Sequence, residues 1–162
     1  LKAVFDKEGT VTAANASSIN DGAAVMIVCS EDFLKKSKLE PQARLLSQGW
    51  NAQEPELFTT APVAAVQNAA KNSGKKLSEI DLFELNEAFS VVALACMSDL
   101  EIDPEKVNIH GGAVALGHPI GASGARILCT LIHALDRTSG KLGAVGICNG
   151  GGEATAVVIE KL

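Results

Sequence analysis

Apolar and polar positions follow two patterns along this chain, and together these patterns predict an α/β fold. Short, continuous apolar runs are typical of buried strands, and longer segments with an apolar residue every three or four positions are typical of helices that pack on one face. From residue 43 onward the predicted order is β, α, β, α, β, α, β, β. This order favours one mixed sheet of five strands with right-handed crossovers and helices on both faces.

The predicted strands are short apolar runs bounded by glycine, proline or polar turns. They cover residues 43–46, 81–85, 107–109, 142–147 and 155–160. The last two flank the turn Cys148-Asn149-Gly150-Gly151-Gly152 and therefore predict a hairpin.

Four helices are predicted, each with its own start or stop signal. They cover residues 31–36 after a Ser30 cap, residues 62–73 between Pro62 and Gly74, residues 87–100, and residues 123–137 before Ser139-Gly140. The helix over residues 87–100 is expected to place Ala88, Val91, Val92 and Ala95 on one side.

The first 38 residues differ in character from the rest. Residues 1–20 are polar and rich in turn formers, which predicts a loop. Residues 23–29, AAVMIVC, are continuously apolar and predict a strand that needs cover on both faces. The basic, proline-containing run at residues 35–41 is the best candidate for a boundary, so residues 1–38 and 39–162 are expected to be separate units.

Composition narrows the functional classes. The chain has 162 residues, 47% of them hydrophobic and 20% charged, as expected for a globular α/β protein without a membrane span. A net charge of −5 without a basic stripe argues against a nucleic-acid partner. The four cysteines form no C-x-x-C pair, which favours reduced thiols and an intracellular, cytoplasmic location. Leu1 begins in mid-pattern, so we expect an upstream segment that carries the true N-terminus.

Three polar side chains follow predicted strands or loops where a site is expected. Asn86 and Cys148 each follow a short apolar run, and His118 lies between Gly117 and Pro119. Strand ends that meet at one rim of an α/β sheet commonly build its binding site. Amides of residues 150–152 could converge on a developing oxyanion. The glycines at 117, 121 and 124 match neither the dinucleotide nor the Walker phosphate motif.

Each of these residues also has a purely structural interpretation. Asn86 could cap the following helix, His118 could be a hydrogen-bonded structural residue, and Cys148 could be a small buried apolar group. Glu87 is expected to be structural, in the first turn of the helix over residues 87–100. The remaining cysteines, Cys29, Cys96 and Cys129, are expected in the core, His133 on the surface, and His110 has no assigned role.

Three motifs, NEAF at 86–89, GGAVALGHPIGASGAR at 111–126 and CNGGG at 148–152, resemble the C-terminal half of a thiolase. Thiolases are acyltransferases that make or cleave 3-oxoacyl-CoA thioesters. The resemblance implies that Cys148 exchanges a proton with the methyl group of acetyl-CoA and that the Gly150 amide contributes to an oxyanion hole. It implies that His118 activates the acyl-accepting cysteine, and that Asn86 holds a water that forms a second oxyanion hole with His118.

The resemblance extends to substrate and ion binding. It implies that Ser17 bonds the pantetheine of coenzyme A and that Ala88 and Phe89 line its tunnel. Similarity to short-chain, potassium-responsive acetoacetyl-CoA thiolases implies a K⁺ site built from the backbone carbonyls of Ala13, Ala14, Ala16 and Val114.

The resemblance also implies what is missing. The acyl-accepting cysteine of thiolases lies in the N-terminal half, and no motif of this chain matches it. We therefore expect an acetyl-CoA acetyltransferase activity that needs that half and a homo-oligomer, dimer or tetramer. Residues 1–38 would be the end of the loop domain and the last strand and helix of the N-terminal half. The alternative is a non-catalytic thiolase-like domain that binds acyl-CoA or lipid.

Overall fold

The computed structural model describes all residues from Leu1 to Leu162. Its strands are β1 (Ala43–Ala52), β2 (Leu82–Leu85), β3 (Leu142–Cys148) and β4 (Glu153–Lys161). Its helices are α1 (Glu31–Lys36), α2 (Ala61–Ser73), α3 (Ser90–Leu100), α4 (Ala113–Leu116) and α5 (Ser123–Thr138). Short 3-10 turns lie at Pro55–Thr60, Leu77–Glu79 and Pro104–Lys106.

The sheet is mixed and has four strands in the order β1-β4-β3-β2. β4 is antiparallel to both of its neighbours, and β2 is parallel to β3. The prediction of a fifth strand at residues 107–109 is wrong. Val107 makes a single bridge to Phe83, and the chain then turns away because Asn108 adopts a left-handed conformation with φ 50°.

Two apolar layers cover opposite faces of this sheet, as predicted. α2 and α3 pack on one face around Phe83, Leu85 and Val158. α5 packs on the other face around Leu82, Val145 and Ile159. Alternate residues of a strand point to opposite faces, so β2 is buried on both sides.

Most predicted helix ends are confirmed. Ser30 Oγ accepts the Phe33 N–H at 3.2 Å and caps α1. α2 carries Pro62 in its first turn and ends at Gly74, whose φ of 71° is the left-handed conformation that glycine adopts without strain. α5 begins at Ser123 and is followed by Ser139, φ 57°.

The buried face of α3 differs from the prediction. Val92 is buried as predicted, but the other inward residues are Ala93, Cys96 and Leu100. Val91 is 41% exposed. The helix begins at Ser90 rather than at residue 87, because residues 86–89 form a loop that is tied to residues 15–17.

The strand predicted over residues 23–29 is absent. These residues belong to no helix or strand, and Val25, Ile27 and Val28 are between 79% and 86% exposed. The apolar pattern correctly indicated a segment that needs cover, but no strand of this chain lies beside it to form a ladder. No helix of the structure combines the length and the apolar character that a membrane crossing requires.

Candidate active site

Asn86 lies immediately after β2 and is held there by the sheet. Its backbone N–H donates to Gly146 O of β3 at 2.9 Å, which continues the parallel ladder one residue beyond the strand. The side chain is almost completely buried, with 2% of the residue exposed. Cys148 follows Gly146 by two residues, so Asn86 and Cys148 leave neighbouring parallel strands at the same rim of the sheet.

His118 reaches the same rim from the loop between α4 and α5. Gly117 precedes it with φ 93°, and the His118 N–H donates to Ser18 O at 2.9 Å. The imidazole Nε2 lies 3.2 Å from Asn86 Nδ2, and Nδ1 lies 2.6 Å from Ser123 Oγ. Asn86, His118 and Ser123 therefore form one continuous hydrogen-bond chain.

One tautomer of the neutral imidazole satisfies these contacts together. Ser123 Oγ has one proton, and it donates that proton to Pro119 O at 3.1 Å. In this tautomer Ser123 Oγ accepts from His118 Nδ1–H, and the unprotonated Nε2 accepts from Asn86 Nδ2. The Asn86 Oδ1 atom is buried without a hydrogen-bond partner, which leaves one acceptor available at the centre of the site.

The surroundings of His118 favour its neutral form. Burial lowers the pKa of the imidazole below its usual value, and the positive charge of Arg126 on α5 lowers it further. All three guanidinium nitrogens of Arg126 are buried without a hydrogen-bond partner. A neutral imidazole whose Nε2 is unprotonated is the form that can accept a proton.

Cys148 lies at the end of β3 and is 8% exposed. Burial raises the pKa of its thiol, and its own backbone N–H partly offsets that rise. Two hydrogen bonds hold the turn that follows. The Asn149 N–H donates to Glu153 O at 2.9 Å, and the Gly151 N–H donates to Asn149 Oδ1 at 2.7 Å. The Gly150 N–H donates to no acceptor within the chain, so it is free to bind an oxyanion.

The residues expected to contact coenzyme A form one patch beside Asn86. Ser17 donates to Ala88 O twice, from its backbone N–H at 3.1 Å and from Oγ at 2.9 Å. Phe89 makes edge contacts with Phe5 and Phe58, with ring centroids 5.7 Å and 6.1 Å away. The Ser17 hydroxyl can still accept a hydrogen bond, and the aromatic cluster offers an apolar wall.

Three of the four expected potassium ligands lie in or next to a tight turn at residues 12–15. Thr12 N–H donates to Asn15 Oδ1 at 2.7 Å and closes the turn. The carbonyl oxygens of Ala13, Ala14 and Ala16 accept no hydrogen bond within the chain, which is the donor chemistry that a hard cation uses. Val114 lies in α4, and the K⁺ site remains a prediction.

The sequence analysis did not identify two residues that act on His118, and it placed Glu87 in the wrong element. Ser123 and Arg126 had no assigned role, although a hydroxyl five residues after the histidine was a usable signal. Glu87 is not in the helix after it. It instead accepts the Val114 N–H of α4 at 3.1 Å.

The cysteine and histidine predictions away from the site have mixed outcomes. Cys96 is buried as expected, Cys129 is half-buried, and Cys29 is exposed, because residues 27–29 lie on the surface. His133 is exposed as expected, and His110 is also exposed.

Comparison with known proteins shows the family of this chain. Residues 39–161 match the thiolase C-terminal domain, and residues 1–32 match the thiolase N-terminal domain. An acetyl-CoA acetyltransferase of Schizosaccharomyces pombe is 49% identical over all of this chain, which spans 41% of that relative's length.

Solved structures give the same result. A Bacillus anthracis acetyl-CoA acetyltransferase has a TM-score of 0.96 at 42% identity, covering all of this chain and 41% of that one. An Ascaris suum thiolase crystallised with coenzyme A has a TM-score of 0.90 at 48% identity, covering all of this chain and 42% of that one. The chain belongs to the thiolase family.

Proposed function

We propose that this chain supplies the C-terminal part of the active site of an acetyl-CoA acetyltransferase. The reaction is the condensation of two acetyl-CoA molecules to acetoacetyl-CoA and free CoA, or its reverse. The observation that carries the proposal is the Asn86–His118–Ser123 hydrogen-bond chain at the rim where β3 ends in Cys148. Packing alone does not explain why the Asn86 amide and the His118 imidazole are placed with their polar atoms facing each other.

His118 acts first as a base. Its Nε2 takes the proton of the acyl-accepting thiol, which then attacks the acetyl thioester and releases CoA. That thiol comes from the N-terminal part of thiolases, because no cysteine of this chain lies in a matching motif. Once protonated, Nε2–H donates to the thioester oxygen, and Asn86 supplies a further donor, directly or through a water.

Cys148 acts on the second acetyl-CoA. Its thiol first gives its proton to the CoA thiolate that leaves in the first step. The Cys148 thiolate so formed removes a proton from the methyl group, and the resulting carbanion attacks the acyl-enzyme carbonyl. A carbon–carbon bond forms, and the bond to the nucleophilic sulfur breaks. Burial raises the pKa of Cys148 and so makes its thiolate a stronger base, and the Gly150 N–H donates to the oxyanion that develops.

The residues around this rim indicate how the substrate, an ion and partner chains would bind. Ser17, Ala88 and Phe89 would hold the pantetheine arm of coenzyme A. The Ala13, Ala14, Ala16 and Val114 carbonyls would hold K⁺, and equal initial rates in KCl and NaCl would exclude that role. The partners are a thiolase N-terminal half and further copies in a dimer or tetramer.

The test combines this chain with a thiolase N-terminal half that carries the nucleophilic cysteine. We expect acetyl transfer to CoA, and deuterium exchange into the methyl group of acetyl-CoA in D₂O, only from the combination. Cys148→Ser should bind CoA as before but lose methyl exchange by about 100-fold or more, because it removes the general base.

Two results would overturn the proposal. Acetyl transfer by the isolated chain, or a stable acetyl label on Cys148, would place the nucleophile in this chain. Binding of CoA by the combination without any methyl exchange would instead support the non-catalytic, acyl-CoA-binding alternative.

A further inference from the structure

The outer edge of β2 is completed by a side chain instead of a strand. Leu85 is 1% exposed, and its N–H and C=O point away from β3. The Asn108 carboxamide satisfies both groups, since Oδ1 accepts the Leu85 N–H at 2.8 Å and Nδ2 donates to Leu85 O at 2.9 Å. Buried backbone groups without such partners are costly, so this contact stabilises the last residue before Asn86.

The backbone of Asn108 is shaped for this contact. Its N–H donates to Phe83 O at 2.9 Å, and its φ of 50° turns the chain away before a second ladder bond can form. Asparagine is among the few residues that adopt this left-handed conformation readily. The Asn108 carboxamide therefore makes the hydrogen bonds to Leu85 that a longer neighbouring strand would otherwise make.

A second contact reaches the residue after Asn86. Asn108 Nδ2 also lies 3.4 Å from Glu87 Oε1, and Glu87 Oε2 accepts the Val114 N–H of α4 at 3.1 Å. Gly112 leaves the space for that carboxylate, because a Cβ at this position would overlap it. α4 leads directly to Gly117 and His118.

We propose that Asn108, acting through Leu85 and Glu87, is a positioning residue that sets the separation of Asn86 Nδ2 and His118 Nε2. Asn108 brackets Asn86 on both sides, and Glu87 connects the Asn86 loop to the segment that carries His118. Asn108 touches neither side chain of that pair, so its effect is transmitted by the backbone and the carboxylate. The kinetic consequence rests on the acetyltransferase function proposed above, whereas the geometric consequence does not.

Two substitutions separate the carboxamide from the backbone conformation. Asn108→Gly keeps access to the left-handed conformation and removes the carboxamide. Asn108→Asp keeps an acceptor for Leu85 N–H but cannot donate to Leu85 O or to Glu87. Asn72→Asp is the matched control, because Asn72 Nδ2 donates to Gln48 O at 2.8 Å on the far side of the sheet.

The first readout is spectroscopic and needs no activity. In the ¹⁵N-labelled chain, we expect Asn108→Gly and Asn108→Asp to shift the His118 Nε2 resonance and to speed exchange of the Asn86 side-chain amide protons. Asn72→Asp should leave both unchanged. Gly112→Ala, which displaces the Glu87 carboxylate, should reproduce the effect without altering Asn108.

The second readout is kinetic and uses the combination with the N-terminal half. We expect kcat to fall about 10- to 100-fold in both Asn108 variants, with KM for acetyl-CoA within about twofold, because small misplacements of reacting groups reduce rate more than binding. Unchanged His118 and Asn86 signals in folded Asn108→Gly would overturn the positioning role. If the unsubstituted combination transfers no acetyl group, the proposed function fails, and the spectroscopic result alone decides the role of Asn108.

Discussion

Glu84 and Arg126 are two charged residues buried beside the candidate active site. Glu84 is 2% exposed on β2, and burial raises the pKa of its carboxyl to about 7, although Arg126 acts in the opposite direction and Glu87 adds to the rise. No ion pair within 4 Å joins Glu84 to Arg126, so their attraction acts at a longer distance. The same guanidinium helps to keep His118 neutral.

The raised pKa of Glu84 predicts that this residue's contribution to stability is lost as the pH rises. Between the ordinary carboxyl pKa of 4.5 and about 7, the folded state retains a proton that the unfolded state has released. Glu84 by itself should therefore lower the free energy of unfolding by about 3 kcal/mol across this window, at about 1.4 kcal/mol per pKa unit, whereas the lowered pKa of His118 acts in the opposite direction up to the ordinary imidazole pKa of 6.5. Urea unfolding at pH 5, 6, 7 and 8 measures it.

Glu84→Gln removes the titration of this carboxyl and should make the slope of unfolding free energy against pH less negative. Its absolute stability can be lower at every pH, because Arg126 then lacks a nearby negative charge, so the slope is the quantity to compare. Glu105→Gln, on an exposed turn, is the control and should keep the original slope. A slope in Glu84→Gln equal to that of the unsubstituted chain would contradict the assignment.

Some site residues could be predicted from the sequence because local pattern places them. Asn86 and Cys148 follow short apolar runs, and strand order brings such ends to one rim. Asn108 could not be identified this way, since its partner Leu85 lies 23 positions earlier and the contact depends on where the chain turns. Arg126 was missed because helical periodicity assigns a charged residue to the solvent side.

At the scale of elements, helices were easier to predict than strands. Pro62, Gly74 and Ser30 act through local backbone chemistry that the sequence displays directly. β1 extends to Ala52, well beyond the predicted residue 46, because its pairing with β4 continues through polar residues that interrupt the apolar run. Pairing is a contact between distant segments, so its extent is not visible in either strand alone.

Two glycine substitutions, one where α2 packs on β1 and one at the start of α5, should have opposite effects on stability. A Cβ at Gly49 would overlap the backbone of Ala65 and Ala69, so Gly49→Ala must push the helix away and should destabilise the chain by about 1–3 kcal/mol. A Cβ at Gly124, in the first turn of α5, meets no atom within 4 Å. Gly124→Ala should stabilise the isolated chain by about 0.5–1 kcal/mol.

Denaturant midpoints of the two alanine variants measure this pair. The m-value should stay constant in both, because neither change alters the surface that unfolding exposes. Equal midpoints for Gly49→Ala and the unsubstituted chain would mean that α2 and β1 are not in close backbone contact.

At the scale of the whole molecule, the apolar surface is unevenly distributed. Five of the seven residues 23–29 are exposed, and Ile120 is 68% exposed. A groove of about 410 Å³ lies between these regions, lined by residues 20–24, residues 119–122 and Ala125. The sequence indicated that residues 23–29 need cover, but what covers them depends on a surface that this chain does not itself provide.

This surface predicts that the isolated chain self-associates through residues 23–29. Burying apolar area contributes about 25 cal/mol per Å², so a few aliphatic side chains on each copy are sufficient to hold weak oligomers together. The double substitution Val25→Lys with Ile27→Lys should lower the mass measured by light scattering. It should leave the thermal unfolding midpoint nearly unchanged, because these side chains are almost fully exposed and contribute little packing in the single copy.

Leu94→Lys is the matched control for this prediction. Leu94 is an apolar side chain, 60% exposed, on α3, outside residues 23–29. If exposed apolar area in general drives association, Leu94→Lys should reduce the mass as much as the double substitution does. If residues 23–29 are the contact, only the double variant should dissociate, and an added thiolase N-terminal half should compete with self-association for the same surface. A chain that is monomeric at every concentration would contradict both outcomes.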